Sequence, residues 1–104
     1  MPVEHINSTQ HFQEVINSGS LVVVDFFATW CGPCKMIAPK FEQFSNQYTD
    51  VRFIKVDVDE QEEIAALADV SAMPTFKFYK NGALVDSIIG ANVALLENKI
   101  KTLQ

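Results

Sequence analysis

The chain has 104 residues, of which 48% are hydrophobic, and a formal net charge of -5 at neutral pH. This length predicts one domain over residues 1–104, with enough apolar residues to form a core without help from disulfide bonds. The negative charge argues against a nucleic-acid-binding protein, because such proteins use lysine and arginine to displace counterions from phosphates.

The first half of the chain predicts strands that alternate with helices. Residues 3–6 are typical of a short strand, and Asn7 and Ser8 then offer a cap for a first helix, with Gly19 as its C-cap. Residues 21–28 are β-branched and aromatic and apolar on both faces, as in a central strand that is covered on both sides. A long amphipathic helix follows, and its predicted buried face consists of Ile37, Phe41, Phe44 and Tyr48.

The second half predicts three more strands and two helices. Residues 52–57 and 75–80 are typical of strands, and residues 61–68 of a short helix. Asn81 and Gly82 form a type I′ hairpin signal before a strand over residues 84–89 that Gly90 ends. Asn92 then offers the cap of a last helix. The predicted fold is therefore α/β, with parallel and antiparallel strands in one mixed sheet and helices on both of its faces.

Two cysteines three positions apart carry the chemistry of this chain. A disulfide that closes so short a loop adds little stability, which favours a redox role for Cys31 and Cys34. Cys31 falls at the junction of the central strand and the long helix, where free backbone N–H groups and the helix dipole stabilise a thiolate. We therefore predict Cys31 as the nucleophile and Cys34, one turn inside the helix and more buried, as the resolving thiol. Pro33 suits the first helical turn.

Two other interpretations of this cysteine pair are weaker. A zinc site would need two more nitrogen or sulfur ligands, and only His5 and His11 are available, both near the N-terminus. Two inert buried thiols would have no reason to lie at a strand-to-helix junction with a glycine and a proline between them. We therefore expect neither a metal nor a bound cofactor, only a redox-active disulfide between Cys31 and Cys34.

Four further residues leave alternatives open when they are considered alone. Asp25 interrupts the most apolar strand, so it is either a buried carboxyl with a raised pKa, able to act as general base for Cys34, or a solvated or hydrogen-bonded side chain. Lys55 could pair with it, although a solvated lysine is the simpler expectation. The peptide bond before Pro74 is expected to be trans, since few X–Pro bonds are cis. Trp30 could serve docking or plain packing.

The sequence predicts a cytoplasmic protein. No apolar run reaches the ~18 residues that a membrane-spanning helix needs. The first ten residues are polar and lack the basic and then apolar pattern of a signal peptide. We therefore expect no interaction with membranes.

The motif around the cysteines resembles the thioredoxin family, and the similarity covers essentially the whole chain. The matching segments are residues 24–39, with Trp-Cys-Gly-Pro-Cys-Lys, residues 55–59, residues 73–76, with Met-Pro-Thr, residues 81–82 and residues 90–92. Residues 26–30, 35–39 and 71–75 look like the eukaryotic, especially fungal, cytosolic form. One departure is Val93, where related fungal sequences commonly have proline. The resemblance implies the thioredoxin fold, a central mixed five-stranded sheet flanked by four helices.

The resemblance also implies roles for individual residues. It places Asp25 and Lys55 behind the cysteines, with Asp25 in proton transfer, and makes the Met73–Pro74 peptide cis. It implies that Gly32, Pro33, Lys55 and Pro74 contribute to the redox properties. It further implies an apolar docking surface. This surface is formed by Trp30, Met73, Pro74, Gly90 and Ala91, together with Gly32 and Pro33 of the motif.

The function implied is a general protein disulfide reductase, a monomeric electron carrier in cell redox homeostasis. The implied partners are thioredoxin reductase, which draws on NADPH, and disulfide-containing proteins such as peroxiredoxins, methionine sulfoxide reductase and ribonucleotide reductase. No nucleotide-binding motif occurs in the chain, so we expect no direct binding of NADPH. The competing functions are a secretory-pathway oxidase or isomerase, which a reduction potential would distinguish, and a binding subunit that does not need its thiols.

Overall fold

The computed structural model describes residues 3–104, and it has the predicted order of elements. Four helices and five strands alternate until a final hairpin and helix. The elements are β1 (Val3–His5), α1 (Thr9–Ile16), β2 (Val22–Phe27), α2 (Gly32–Gln47), β3 (Arg52–Asp57), α3 (Glu62–Leu67), β4 (Thr75–Lys80), β5 (Ala83–Ile89) and α4 (Val93–Leu103). The predicted strand boundaries of β3 and β4 are confirmed to the residue.

The five strands form one mixed sheet in the order β1-β3-β2-β4-β5. β3 pairs in parallel with both β1 and β2, whereas β4 is antiparallel to β2 and to β5. β2 is therefore the central strand, and its residues 22–26 are all buried. The apolar pattern of this strand on both faces is explained by this position, since each face is covered by helices.

Each face of the sheet carries its own hydrophobic core. The face under α2 and α4 holds the predicted apolar stripe of α2 together with Leu96 and Ile100 of α4. The strands contribute Val23, Phe53, Phe76 and Phe78 among others. The opposite face, under α1 and α3, holds Phe12, Val22, Val24, Phe26, Ile54 and Ile64 among others. Alternate residues of β2 thus enter opposite cores, as the period of a strand requires.

The first helix begins as predicted but ends earlier. Ser8 is its N-cap, and its side-chain oxygen accepts a hydrogen bond from the backbone N–H of His11 at 3.0 Å. The predicted C-cap, Gly19, is wrong, because the helix ends at Ile16 and is capped by Asn17. The Asn17 side-chain amide donates a hydrogen bond to the carbonyl of Gln13 at 2.7 Å, which satisfies an acceptor at the end of the helix. Glycine has no side chain with which to make this hydrogen bond.

The hairpin between β4 and β5 confirms the predicted turn. Asn81 and Gly82 both have positive φ, 52° and 80°, which a type I′ turn requires of its two central residues. The Gly82 N–H donates to the carbonyl of Ile16 at 2.8 Å. The turn is therefore fastened to the C-terminal end of α1.

The last helix starts at the predicted cap. The Asn92 side-chain oxygen accepts a hydrogen bond from the backbone N–H of Leu95 at 3.0 Å. Val93, the departure from the fungal pattern, is the first helical residue and packs against the core. Helix formation at this position therefore does not require proline. Within residues 3–104 no helix is both long enough and apolar enough to cross a membrane.

Candidate active site

The cysteine motif lies where β2 passes into α2. Cys31 is the N-cap of α2, in extended backbone with φ -88° and ψ 112°, and Pro33 is in the first turn. The Cys31 sulfur accepts a hydrogen bond from the backbone N–H of Cys34 at 3.2 Å. Cys31 therefore takes the place of the serine or aspartate that usually caps a helix, and its sulfur lies at the positive end of the helix dipole.

Cys31 and Cys34 form a disulfide, with their Cα atoms 5.3 Å apart. Cys34 was expected to be the more buried of the two, and the difference is small, since Cys31 is 5% and Cys34 is 4% exposed. The two sulfurs differ instead in their surroundings. The Cys31 sulfur lies 3.7 Å from the carbonyl oxygen of Met73, whereas Cys34 lines an open cavity of about 250 Å³.

The loop between α3 and β4 lies against the disulfide. The Met73–Pro74 peptide is cis, as the resemblance implies and against the expectation from the residues alone. The carbonyl of Pro74 accepts a hydrogen bond from the Gly90 N–H at 2.8 Å, so the segment before β4 and the end of β5 are joined beside the cysteines. Met73, Gly90 and Ala91 are partly exposed there, but Pro74 is buried, which argues against it as an exposed member of the predicted docking surface.

Trp30 stands out from the surface next to the cysteines. It is 66% exposed, which contradicts the interpretation as a plain packing residue. Its indole N–H donates to a carboxylate oxygen of Asp59 at 2.9 Å. Asp59 was not among the predicted site residues, and only its position in the loop after β3, at the same edge of the sheet as the motif, could have suggested it. The hydrogen bond fixes the orientation of the exposed indole.

Asp25 is fully buried in the central strand and has no hydrogen-bond partner among the described residues. The interpretation of Asp25 as a solvated side chain is therefore wrong, and no described residue forms the hydrogen bond that the other interpretation expects. Burial raises the pKa of this carboxyl from 3.8 to about 7, although the nearby charge of Lys55 acts in the opposite direction. The carboxyl can thus take up or release a proton near neutral pH.

Lys55 lies opposite Asp25 in the parallel pairing of β2 with β3. Its side chain is half-buried, so the expectation of a solvated lysine is only partly correct. The ammonium lies 4.7 Å from the centroid of the Phe27 ring. Phe27 and Lys55 both line the cavity next to Cys34, together with Ala28, Thr29, Lys35 and Ala38. Phe27 was not predicted as a site residue.

The two histidines considered as zinc ligands lie away from the cysteines. His11 contacts Glu4 at 2.7 Å, and the ring of His5 packs against that of Phe27. Residues 3–104 contain no group of three or more histidine, cysteine, aspartate and glutamate side chains arranged to hold a metal ion.

Comparisons with known proteins agree with this geometry. The thioredoxin family model matches residues 2–102. The chain belongs to the thioredoxin family. It is 60% identical over 99 residues to thioredoxin-1 of Schizosaccharomyces pombe, a match that covers 95% of this chain and 96% of that protein.

Solved thioredoxin structures have the same fold. The thioredoxin of Plasmodium falciparum superposes with a TM-score of 0.94 at 48% identity, over 97% of this chain and 99% of that one. A chain from a study of thiol resolution in yeast mitochondrial 1-Cys peroxiredoxin by the glutathione and thioredoxin systems gives 0.92 at 44% identity, over 96% and 94%. The chain is therefore a thioredoxin-family protein-disulfide oxidoreductase, whose redox group is its own Cys31–Cys34 disulfide.

Proposed function

We propose that the protein reduces disulfides of other proteins by a reaction in which Cys31 attacks and Cys34 resolves. The observation that carries this assignment is the position of Cys31 as the N-cap of α2, with its sulfur accepting the Cys34 N–H. In the reduced protein the same N–H group and the helix dipole stabilise a thiolate on Cys31. Cys34 lies one turn further along the helix, against the open cavity of about 250 Å³.

The first step forms a mixed disulfide. The Cys31 thiolate attacks one sulfur of the target disulfide, the target S–S bond breaks, and the other target sulfur leaves as a thiolate that takes a proton from water. The carbonyl of Met73 lies beside the Cys31 sulfur, and we propose that the backbone of this partly exposed residue holds the target chain. Electrons have not yet been transferred in net terms, because one disulfide has replaced another.

The second step needs a thiolate on Cys34. We propose Asp25 as the base that takes the Cys34 proton, since it is a buried carboxyl whose pKa is raised to about 7. Asp25 lies two residues before Phe27 on the same face of β2, and Phe27 and Cys34 line the same cavity. The Cys34 thiolate then attacks the Cys31 sulfur, the mixed disulfide breaks, and the second target thiolate leaves. Two electrons have passed to the target, and Cys31 and Cys34 are joined in a disulfide.

The test of the overall reaction is reduction of insulin, driven by NADPH and a thioredoxin reductase, with wild type and Cys31→Ser compared. We expect turnover by wild type alone. Absence of turnover by wild type, with both thiols titratable, would contradict the proposal and favour a binding subunit. A measured reduction potential separates a reductase from an oxidase or isomerase, which would have a higher potential.

The roles of the two cysteines are tested with trapping variants. Cys34→Ser should accumulate a mixed disulfide between Cys31 and the target, because nothing resolves it. Cys31→Ser is the matched control and should trap nothing. Capture of the target on Cys34 in that control would reverse the assignment.

The role of Asp25 is tested by single-turnover kinetics of Asp25→Asn. We expect slower release of the second target thiol at pH 7, with the first attack by Cys31 largely unchanged. If both steps keep their wild-type rates, Asp25 is not the base.

We propose that protein targets dock on the partly exposed apolar surface of Trp30, Met73, Gly90 and Ala91. Exposed apolar area of this kind marks contact sites for protein partners. The family implies a thioredoxin reductase as electron donor, and peroxiredoxins, methionine sulfoxide reductase and ribonucleotide reductase are the proposed targets. The relative from the peroxiredoxin study supports the first of these. Trp30→Ala should raise the KM for such a target more than it lowers kcat.

We further propose that residues 1–104 act as one monomeric domain in the cytoplasm. The single sheet that joins the described strands supports one domain. Sedimentation of the purified protein tests the monomer, and fractionation of cells tests the compartment, with mitochondria as the competing location.

A further inference from the structure

Three titratable side chains form a row across neighbouring strands of the sheet. In the parallel registers of the strands, Lys55 on β3 lies opposite His5 on β1 and opposite Asp25 on β2. All three lie on the face that α2 covers, because Val3, Val23 and Phe53, two positions earlier on the same strands, enter that core. The row runs from exposed His5 through half-buried Lys55 to fully buried Asp25.

The ring of Phe27 contacts two members of this row. The Lys55 ammonium lies 4.7 Å from the ring centroid, within the distance for a cation–π interaction. The His5 ring packs edge-on against the same ring, with 6.5 Å between centroids and 88° between planes. Phe27 and Lys55 also lie at the boundary of two cavities, since both line the one of about 250 Å³ and another of about 380 Å³.

Lys55 and Asp25 are neighbours that do not form an ion pair. Within residues 3–104 the ion pairs of 4.0 Å or less involve neither side chain. Both Asp25 oxygens lack a partner in the same part of the chain. Lys55 nevertheless acts on Asp25 through its charge, and it lowers the pKa of a carboxyl that burial raises. The contact that holds the ammonium is therefore the aromatic ring.

We propose that Phe27 is a positioning residue, whose ring holds the Lys55 ammonium where it attracts the Asp25 carboxylate without pairing with it. The inference rests on the proposed role of Asp25 as the base for Cys34. Without the ring, the Lys55 ammonium loses its cation–π contact and is hydrated by water in the open cavity. That water screens the attraction between the ammonium and the Asp25 carboxylate. Asp25 then keeps its proton to higher pH and is ionised less often when Cys34 must lose its own proton.

Other charged groups border the same cavities and define the controls. They are Lys35 on α2, His5 on β1, and Asp57 and Glu60 at and after the end of β3. A His5→Gln background removes the other side chain of the row that contacts the Phe27 ring, and the effect of changing Phe27 should persist in it.

The test is an NMR titration of the Asp25 carboxyl carbon in the oxidised protein. The main comparison is between wild type, Phe27→Leu, Lys55→Met and the double variant. We expect Phe27→Leu to move the midpoint upward, enough to lower the ionised fraction at pH 7 by about twofold. In the Lys55→Met background the same substitution should have no further effect. Phe27→Tyr, which keeps a ring, should retain the wild-type midpoint.

An unchanged or lowered midpoint in Phe27→Leu would overturn the inference. A rise of equal size with and without Lys55 would also overturn it, because the ring would then act by packing alone. The titration uses the disulfide form and does not depend on Cys34 chemistry. Failure of Asp25 as the base, seen as unchanged kinetics in Asp25→Asn, is thus distinguishable from failure of Phe27 as the residue that positions Lys55.

Discussion

Replacing Asp25 with leucine should change how the stability of the oxidised protein depends on pH. Burial raises the pKa of Asp25 from 3.8 to about 7, against the attraction of Lys55. A difference of one pH unit between the folded and unfolded pKa corresponds to about 1.4 kcal/mol. The ionised carboxyl therefore lowers the free energy of unfolding by about 4 kcal/mol once the pH exceeds the folded pKa.

The sign follows from which state holds the proton. Below pH 3.8 the folded and unfolded chains both carry it, and Asp25 contributes no pH dependence. Between 3.8 and about 7 the unfolded chain has lost the proton while the folded chain keeps it, so stability falls as the pH rises. Above that range both states are ionised and the loss is complete. Leucine has no proton to lose, so the variant lacks this fall.

The measurement is urea unfolding followed by far-UV circular dichroism from about pH 4 to about pH 9. The stability difference between Asp25→Leu and wild type should grow by about 1.4 kcal/mol per pH unit up to the folded pKa and then stay constant. Asp50→Asn, a change at an exposed carboxylate, is the matched control and should give a flat difference. A flat difference for Asp25→Leu as well would refute the reasoning.

Three further predictions concern stability and ionisation at other positions. Gly82→Ala should destabilise the protein by about 1–2 kcal/mol in urea unfolding, because Gly82 has a positive φ that disfavours a Cβ, and the Cβ would also contact the Asn17 side chain. Gly19 has a positive φ but open space around it, so Gly19→Ala should destabilise the protein less. Equal losses of stability in the two variants would argue against the contact with Asn17. Asn92→Ala should lower the free energy of unfolding by about 1 kcal/mol through loss of the α4 cap, and a Ser replacement should keep most of it. Tyr48 should ionise at about pH 12 in an ultraviolet titration, since its hydroxyl donates a hydrogen bond to a carboxylate of α4, whose negative charge opposes ionisation. The titration step is assigned to Tyr48 if it disappears in Tyr48→Phe. A midpoint near pH 10 would contradict the hydrogen bond to the carboxylate.

Most of the fold was predictable because the signals for it are local. The type I′ turn depends on residues that tolerate positive φ, and Asn81 and Gly82 supply both. The central position of β2 follows from an apolar pattern on both faces, which no edge strand would show. The C-cap of α1 was missed because Asn17 and Gly19 are both good terminators, and the choice depends on a side-chain hydrogen bond to Gln13.

The site was only partly predictable from the residues. The redox role of the cysteines was predictable from their spacing and from their position at the start of a helix. The isomer of the Met73–Pro74 peptide is not encoded locally, since the two forms of an X–Pro bond differ little in free energy and tertiary contacts decide between them. Similarly, nothing in the local sequence around Phe27 indicates that its ring contacts an ammonium from β3 and an imidazole from β1. Those contacts depend on the register of three strands.

The burial of Asp25 links stability to mechanism. A carboxyl in the most buried strand, with no hydrogen-bond partner among residues 3–104, breaks the rule that buried polar groups are satisfied. A leucine there would fill the core without that cost, so stability alone gives no reason for an aspartate. Violations of this kind are expected at functional sites, where a strained choice serves the chemistry. One cavity is lined by Cys34, Phe27 and Lys55. The burial that costs stability also makes the Asp25 carboxyl available as the proposed base for Cys34 near pH 7, the pH at which the loss of stability is nearly complete.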